Sequence, residues 1–173
     1  TPLYGEVAYS APATTSAIDI HYTQLGAPLL GLPLGPEHPA TGGRAVSYEA
    51  GTIFWSAATG AHEMHGAIGG HYAAVPGLAN ALGLPTTDEL GTPDDIGRFN
   101  HLAYGSIYWT PGTGARAVQG AIRARWASLG WERGRLGYPT TDEYSTAAGR
   151  ASTFQHGTIS WNARTGATTV TYR

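Results

Sequence analysis

Apolar residues recur along this chain with two periods that take turns. Ile18, Tyr22 and Leu25 stand at 0, +4 and +7, as do Ile68, Tyr72 and Val75, and again Ile122, Trp126 and Leu129. That is the spacing of one helical face. Each stretch ends at a breaker, Gly26, Pro76 or Gly130, so the pattern predicts three short helices. Gly69 and Gly70 weaken the middle helix by roughly 1 kcal/mol apiece relative to alanine, which leaves packing to hold it. Downstream of each helix the period becomes two. The phrases Gly51-Thr-Ile53-Phe-Trp55, Gly105-Ser-Ile107-Tyr-Trp109 and Gly157-Thr-Ile159-Ser-Trp161 read as strands, with Ile107 and Trp109 on one face and Tyr108 on the other. The same turn follows each strand, Thr59-Gly60-Ala61, Thr113-Gly114-Ala115 and Thr165-Gly166-Ala167, and Met64, Val118 and Val170 then fall at matched positions.

A third signature joins helix to strands: Leu30-Gly31-Leu32-Pro33, Leu82-Gly83-Leu84-Pro85 and Leu136-Gly137-Tyr138-Pro139. The last two continue as Thr86-Thr87-Asp88-Glu89 and Thr140-Thr141-Asp142-Glu143, whereas the first reads Leu34-Gly35-Pro36-Glu37 and keeps the Glu alone. A recurrence near fifty residues marks a repeat architecture. Taking the helix as the start gives units 18–67, 68–121 and 122–173 with no fragment left over, so the domain is expected to be complete. Residues 1–17 stand outside as a tail, a linker, or a strand from Leu3 to Tyr9 that closes the sheet. The predicted fold class is α+β: three tandem repeats of about 52 residues, each a short helix followed by an antiparallel hairpin or two- to three-stranded meander. A closed pseudo-threefold or propeller-like ring is expected, because a ring removes exposed sheet edges.

Composition narrows the function classes. With 173 residues and 42% hydrophobic content, the chain can bury a sizeable shared core as one domain. Twenty-five Gly and eleven Pro recur at matched positions among aromatics and mark turns rather than disorder. The net charge is -2 and every basic residue is Arg, so the domain-wide basic excess of a nucleic-acid binder is missing. Arg123, Arg125, Arg133 and Arg135 cluster in the third unit, where a solvated helix face accounts for them. No apolar run approaches the roughly 20 residues that span a bilayer. The absence of Cys excludes disulfides and thiolate metal sites.

Few motifs point to chemistry. His62-Glu63-Met64-His65 has its histidines three apart on a predicted strand, where they face opposite sides, so no metal site is expected from it and no cofactor is implied. Gly112-Thr113-Gly114-Ala115 sits between two strands and not at the helix N-terminus that a dinucleotide fingerprint requires. Asp88-Glu89 and Asp142-Glu143 are paired carboxylates in a repeated loop. Thr and Asp there can close the loop on local backbone N–H groups, or the carboxylates can accept hydrogen bonds from ligand hydroxyls. Trp55, Trp109 and Trp161 can stack on sugar rings or fill a core, and their pairing with Ile favours the core. Candidate ligand contacts are therefore Asp88, Glu89, Asp142 and Glu143 together with the outward or loop residues Tyr108, Tyr104, His101, Trp131 and Tyr138.

Taken together, the Leu-Gly-x-Pro turn, the Pro-Thr-Thr-Asp-Glu run, the Gly-x-Ile-x-Trp strand with its Thr-Gly-Ala turn, and the links Gly66-Ala67-Ile68 and Gly120-Ala121-Ile122 resemble the LGFP repeat family. Leu32, Leu84 and Tyr138 stand where the family name has Phe. The resemblance implies a secreted or envelope-associated module of actinobacterial type, in a family often attached to esterases, amidases or mycoloyltransferases. It implies noncatalytic attachment to the cell wall, with arabinogalactan or a related polysaccharide as ligand. Two other classes stay open: a wall-polysaccharide hydrolase with a site between repeats, built on Asp94, Asp95, Arg98, Asn100 and His101, and a protein-interaction or inhibitor domain acting through its loop tips.

Overall fold

A computed structural model describes residues 15–173. The proposed closing strand from Leu3 to Tyr9 lies outside the described residues. Each unit opens with the predicted helix: α1 (Ala17–Leu25), α3 (Gly66–Ala74) and α5 (Gly120–Ser128). Ser16 and Asp19 form a capping box that starts α1. Short turns of helix, α2 (Ala27–Leu30) and α4 (Leu78–Leu82), follow the first two, and a 3-10 turn at Trp131–Arg133 follows the third. Each unit then forms an antiparallel meander of four strands, where the pattern predicted two or three. These are β1–β4 (His38–Ala40, Gly43–Ser47, Gly51–Ser56, Gly60–His65), β5–β8 (Leu90–Gly91, Arg98–Leu102, Gly105–Thr110, Gly114–Gln119) and β9–β12 (Tyr144–Ser145, Gly149–Phe154, Gly157–Asn162, Thr168–Tyr172).

The three sheets are separate and not closed, so the fold is an α+β array and the expected ring is not supported. The reason lies in what covers each sheet. Helix α3 packs on β3 and β4 of the sheet before it and on β7 and β8 of the sheet after it, and α5 bridges the second and third sheets in the same way. Units therefore join through sheet faces and intervening helices, with no strand pairing from one unit to another among the described residues. The outer strands β1, β5 and β9 are only three, two and two residues long, and a short edge is itself protection against edge-to-edge pairing. Alternation serves this layering: Ile107 and Trp109 belong to the core beneath α3, while Tyr108 joins Ile122 and Trp126 in the next core.

The sequence motifs are linked by contact. Gly31, Gly83 and Gly137 of the Leu-Gly-x-Pro turn have φ of +73°, +71° and +71°, a region that disfavours any side chain. Their carbonyls accept hydrogen bonds from the +4 aromatic of the helix: Tyr22 Oη at 2.7 Å, Tyr72 Oη at 3.0 Å and Trp126 Nε1 at 3.2 Å. The preceding leucine presses on the glycine that begins the Gly-x-Ile-x-Trp strand. A Cβ at Gly51, Gly105 or Gly157 would run into Cδ2 of Leu30, Leu82 or Leu136.

The Thr-Thr-Asp residues divide their work between units. Thr87 and Thr141 accept from the backbone N–H groups of His101 and Thr153 within their own unit, both at 3.0 Å. Asp88 and Asp142 instead reach the preceding unit. Asp142 accepts from the Ala117 N–H at 2.8 Å and pairs with His71 of α3 at 2.8 Å, and Asp88 accepts from the Glu63 N–H at 3.0 Å. In the first unit Pro36 holds this position and supplies no carboxylate. Burial by itself would raise the Asp142 pKa, but the bonds from His71 and Ala117 outweigh it and hold it below the usual carboxylate value. The latch is thus intact above the unfolded carboxylate range and is lost as pH falls through the lower folded value. Replacing Asp142 by alanine is expected to cost on the order of 2 kcal/mol, read as a lowered urea midpoint at neutral pH.

Candidate functional site

One arrangement of side chains occurs in every unit. Arg44, Arg98 and Arg150 lie directly opposite Trp55, Trp109 and Trp161 across adjacent strands, so each pair shares a sheet face. The Nε of each Arg donates to the Glu that ends the Leu-Gly-x-Pro loop: Arg44 to Glu37, Arg98 to Glu89 at 2.8 Å, and Arg150 to Glu143. The Arg side chains are 46%, 46% and 43% exposed while Glu89 and Glu143 are nearly buried. Among the described residues no acceptor engages the terminal nitrogens of these Arg, which remain as donors toward solvent.

Beside each ion pair is a hollow floored by the tryptophan and the start of a helix. Glu37, Trp55 and Ser16–Ile18 line the first, of about 160 Å³. His65–Ile68, Glu89, Arg98 and Trp109 line the second, of about 170 Å³, and Gln119–Ile122, Glu143, Arg150 and Trp161 the third, of about 230 Å³. The three tryptophans are only partly buried. Each packs against the core of its unit and also lines its hollow. The hollows differ at the helix. Ser16 caps α1, but among the described residues no side chain caps α3 or α5, whose first N–H groups lack intrahelical partners. His65 lines the second hollow, with Nδ1 at 2.6 Å from the buried Glu63 and Nε2 at 3.6 Å from Glu89. The Glu63 hydrogen bond raises its pKa against the opposing effect of burial, which favours a positive charge there.

The other sequence candidates are scattered. Tyr108 and Tyr138 are 3% and 4% exposed, so neither turns outward as expected. Tyr108 packs against Trp126 and Phe99 because the next helix covers that sheet face. Tyr138 donates to Asp94 of the second unit's long loop at 2.7 Å. Asp88 and Asp142 are inter-unit latches, Glu89 and Glu143 belong to the hollows, and Tyr104 is exposed on a turn. Among the residues of the hydrolase reading, Asp94 is tied to Thr92 and Tyr138, Arg98 to Glu89, and Asn100 is fully buried, donating to the Glu63 and Thr87 carbonyls. They do not converge on one point.

His101 and Trp131 do meet, with ring centroids 5.3 Å apart. Arg123 stacks on Trp131 at 5.1 Å and approaches Nδ1 of His101 at 3.3 Å. Burial, then the Arg123 charge, push the His101 pKa down to about 4. The unfolded chain therefore binds this proton first, and stability falls as pH drops from about 6.5 to about 4. Allowing for partial exposure, the loss is roughly 2–3 kcal/mol. Comparing urea midpoints at pH 7 and pH 4.5 checks this, with His101→Gln expected to show a shallower decline than the parent chain.

The repeated residues themselves decide the family. The LGFP repeat model matches residues 30–77, 82–134 and 136–173. The chain belongs to the LGFP repeat family. Each LGFP match begins at the Leu-Gly turn, and the first two run through a sheet into the helix on its far face. Comparison with the curated proteins finds no match. No described helix of this LGFP chain is long and apolar enough to cross a membrane. The sequence reading missed Arg44 and Arg150 as site residues, although a signal was present: an Arg stands eleven residues before the Trp in all three units.

Proposed function

We propose that this chain is a noncatalytic module that attaches to a cell-wall polysaccharide of the arabinogalactan class, at the cell envelope or after secretion. The observation that carries the reading is the threefold recurrence of a partly exposed Trp beside an Arg–Glu pair. An aromatic ring offers an apolar plane to the C–H face of a sugar, while the free Arg nitrogens donate to hydroxyls and the Glu accepts from them. Hollows of 160–230 Å³ are smaller than the roughly 300–1,000 Å³ of pockets that enclose a ligand, and they suit single rings of a polymer lying across the surface. Three such weak sites on one polymer gain about 100-fold or more in avidity when they engage together. Co-sedimentation with purified arabinogalactan and with peptidoglycan tests the proposal. Saturable binding to arabinogalactan is expected, and a folded chain that pellets with neither rejects it.

A further inference from the structure

Independently of the glycan reading, we infer that the junction between the first two units is a divalent transition-metal site, formed by His21 of α1, His62 of β4 and Asp88 of the second unit's loop. The ligand atoms of these three side chains all lie within 4.8 Å of one another. His21 Nε2 is 2.8 Å from Asp88 Oδ1, and His62 Nδ1 is 3.3 Å from the same oxygen. Bonds of about 2.0–2.2 Å to zinc require ligand atoms separated by roughly 3.4 Å in a tetrahedron, so small side-chain adjustments bring the set into range.

The outer contacts of the two histidines turn their inner nitrogens toward Asp88. His62 Nε2 is 3.0 Å from the Thr59 carbonyl, which can only accept; that nitrogen therefore carries a hydrogen, and in the neutral ring Nδ1 faces Asp88 with a lone pair. On His21, Nδ1 lies 3.4 Å from Gln24 Oε1, and Nε2 points at Asp88 Oδ1, 2.8 Å away. Asp88 Oδ1 already accepts the Glu63 N–H. Two imidazole nitrogens and a carboxylate oxygen thus converge, and each histidine has an outer contact of the kind that orients a metal ligand. All three side chains are partly exposed, at 15%, 24% and 28%, which leaves an approach for the ion and a fourth position for water.

The second junction supplies an internal control. There His71 and Asp142 repeat the His21 and Asp88 pairing, but Arg116 occupies the position of His62 and its charge acts favourably on Asp142. A permanent cation stands where the first junction has an imidazole ring. The metal supplies that charge at the first junction and makes the clasp between units removable. No metal site is expected from the sequence, because His62 is weighed there with His65, three residues further along the strand.

The test is calorimetric titration of zinc into the untagged, chelator-treated chain, with cobalt absorption as a second readout. One ion per chain, a tetrahedral cobalt spectrum and a zinc-dependent rise in melting temperature are expected. His62→Arg copies the second junction, so it should remain folded and lose at least 10-fold in zinc affinity, as should Asp88→Asn. No saturable uptake by the parent chain, which would mean that a proton holds the pair, overturns the inference; so does uptake that His62→Arg leaves unchanged.

Discussion

Replacing Trp126 by alanine is expected to destabilise the chain by about 3–5 kcal/mol, the range for truncating a large buried aromatic. Trp126 is fully buried, with Tyr108 edge-on at 4.8 Å and Phe154 at 5.4 Å. Tyr108 comes from the second sheet and Phe154 from the third, so the cavity would open at the joint between two units as well as within a core. The Gly137 carbonyl would lose its indole donor, and an unpaired buried acceptor adds to the cost. Because neighbouring repeats stabilise one another, both units should be affected. A fall of about 10 °C or more in melting temperature is expected from this loss. Trp126→Tyr should be much milder, since Tyr22 and Tyr72 already bond the equivalent carbonyls. If tyrosine is no better than alanine, the carbonyl bond is not what the position requires.

The second large effect concerns binding. Replacing Trp55, Trp109 and Trp161 together is expected to lower affinity for wall polysaccharide by about 100-fold or more, as simultaneous engagement fails. A single replacement should have a smaller effect. Leucine is the replacement to use, because each ring also packs against the core and alanine would confound binding with unfolding. Arg44→Gln, Arg98→Gln and Arg150→Gln form a parallel series on half-exposed side chains, where stability should change little. Co-sedimentation of both series at matched folded fraction checks the expectation. Unchanged binding in both would move the glycan site away from the hollows.

The distinction between packing and contact residues was only partly visible in the sequence. Ile107 and Trp109 alternate against Tyr108 as a strand should, and both faces turn out to be covered because a helix from each side packs on the sheet. One strand's pattern shows two faces; it does not show whether solvent or the next unit meets the second. That is why Tyr108 read as an outward residue and is buried. Asp88 and Asp142 posed a similar problem, since a carboxylate in a turn ordinarily bonds its own loop, and here each reaches the previous unit's last strand. His21 and His62 are far apart in the chain, and no local spacing brings them to Asp88.

Local interactions explain what the sequence determined alone. Helix period, strand alternation and the glycine turns are each decided within about ten residues, so three units, their order and their family could be read from the chain. The partner of each sheet face, the separation of the three sheets, and the meeting of Trp with Arg and Glu were decided by the tertiary structure. They depend on which surfaces become buried when one unit is laid against another, and burial belongs to the pair of surfaces, not to either stretch of residues.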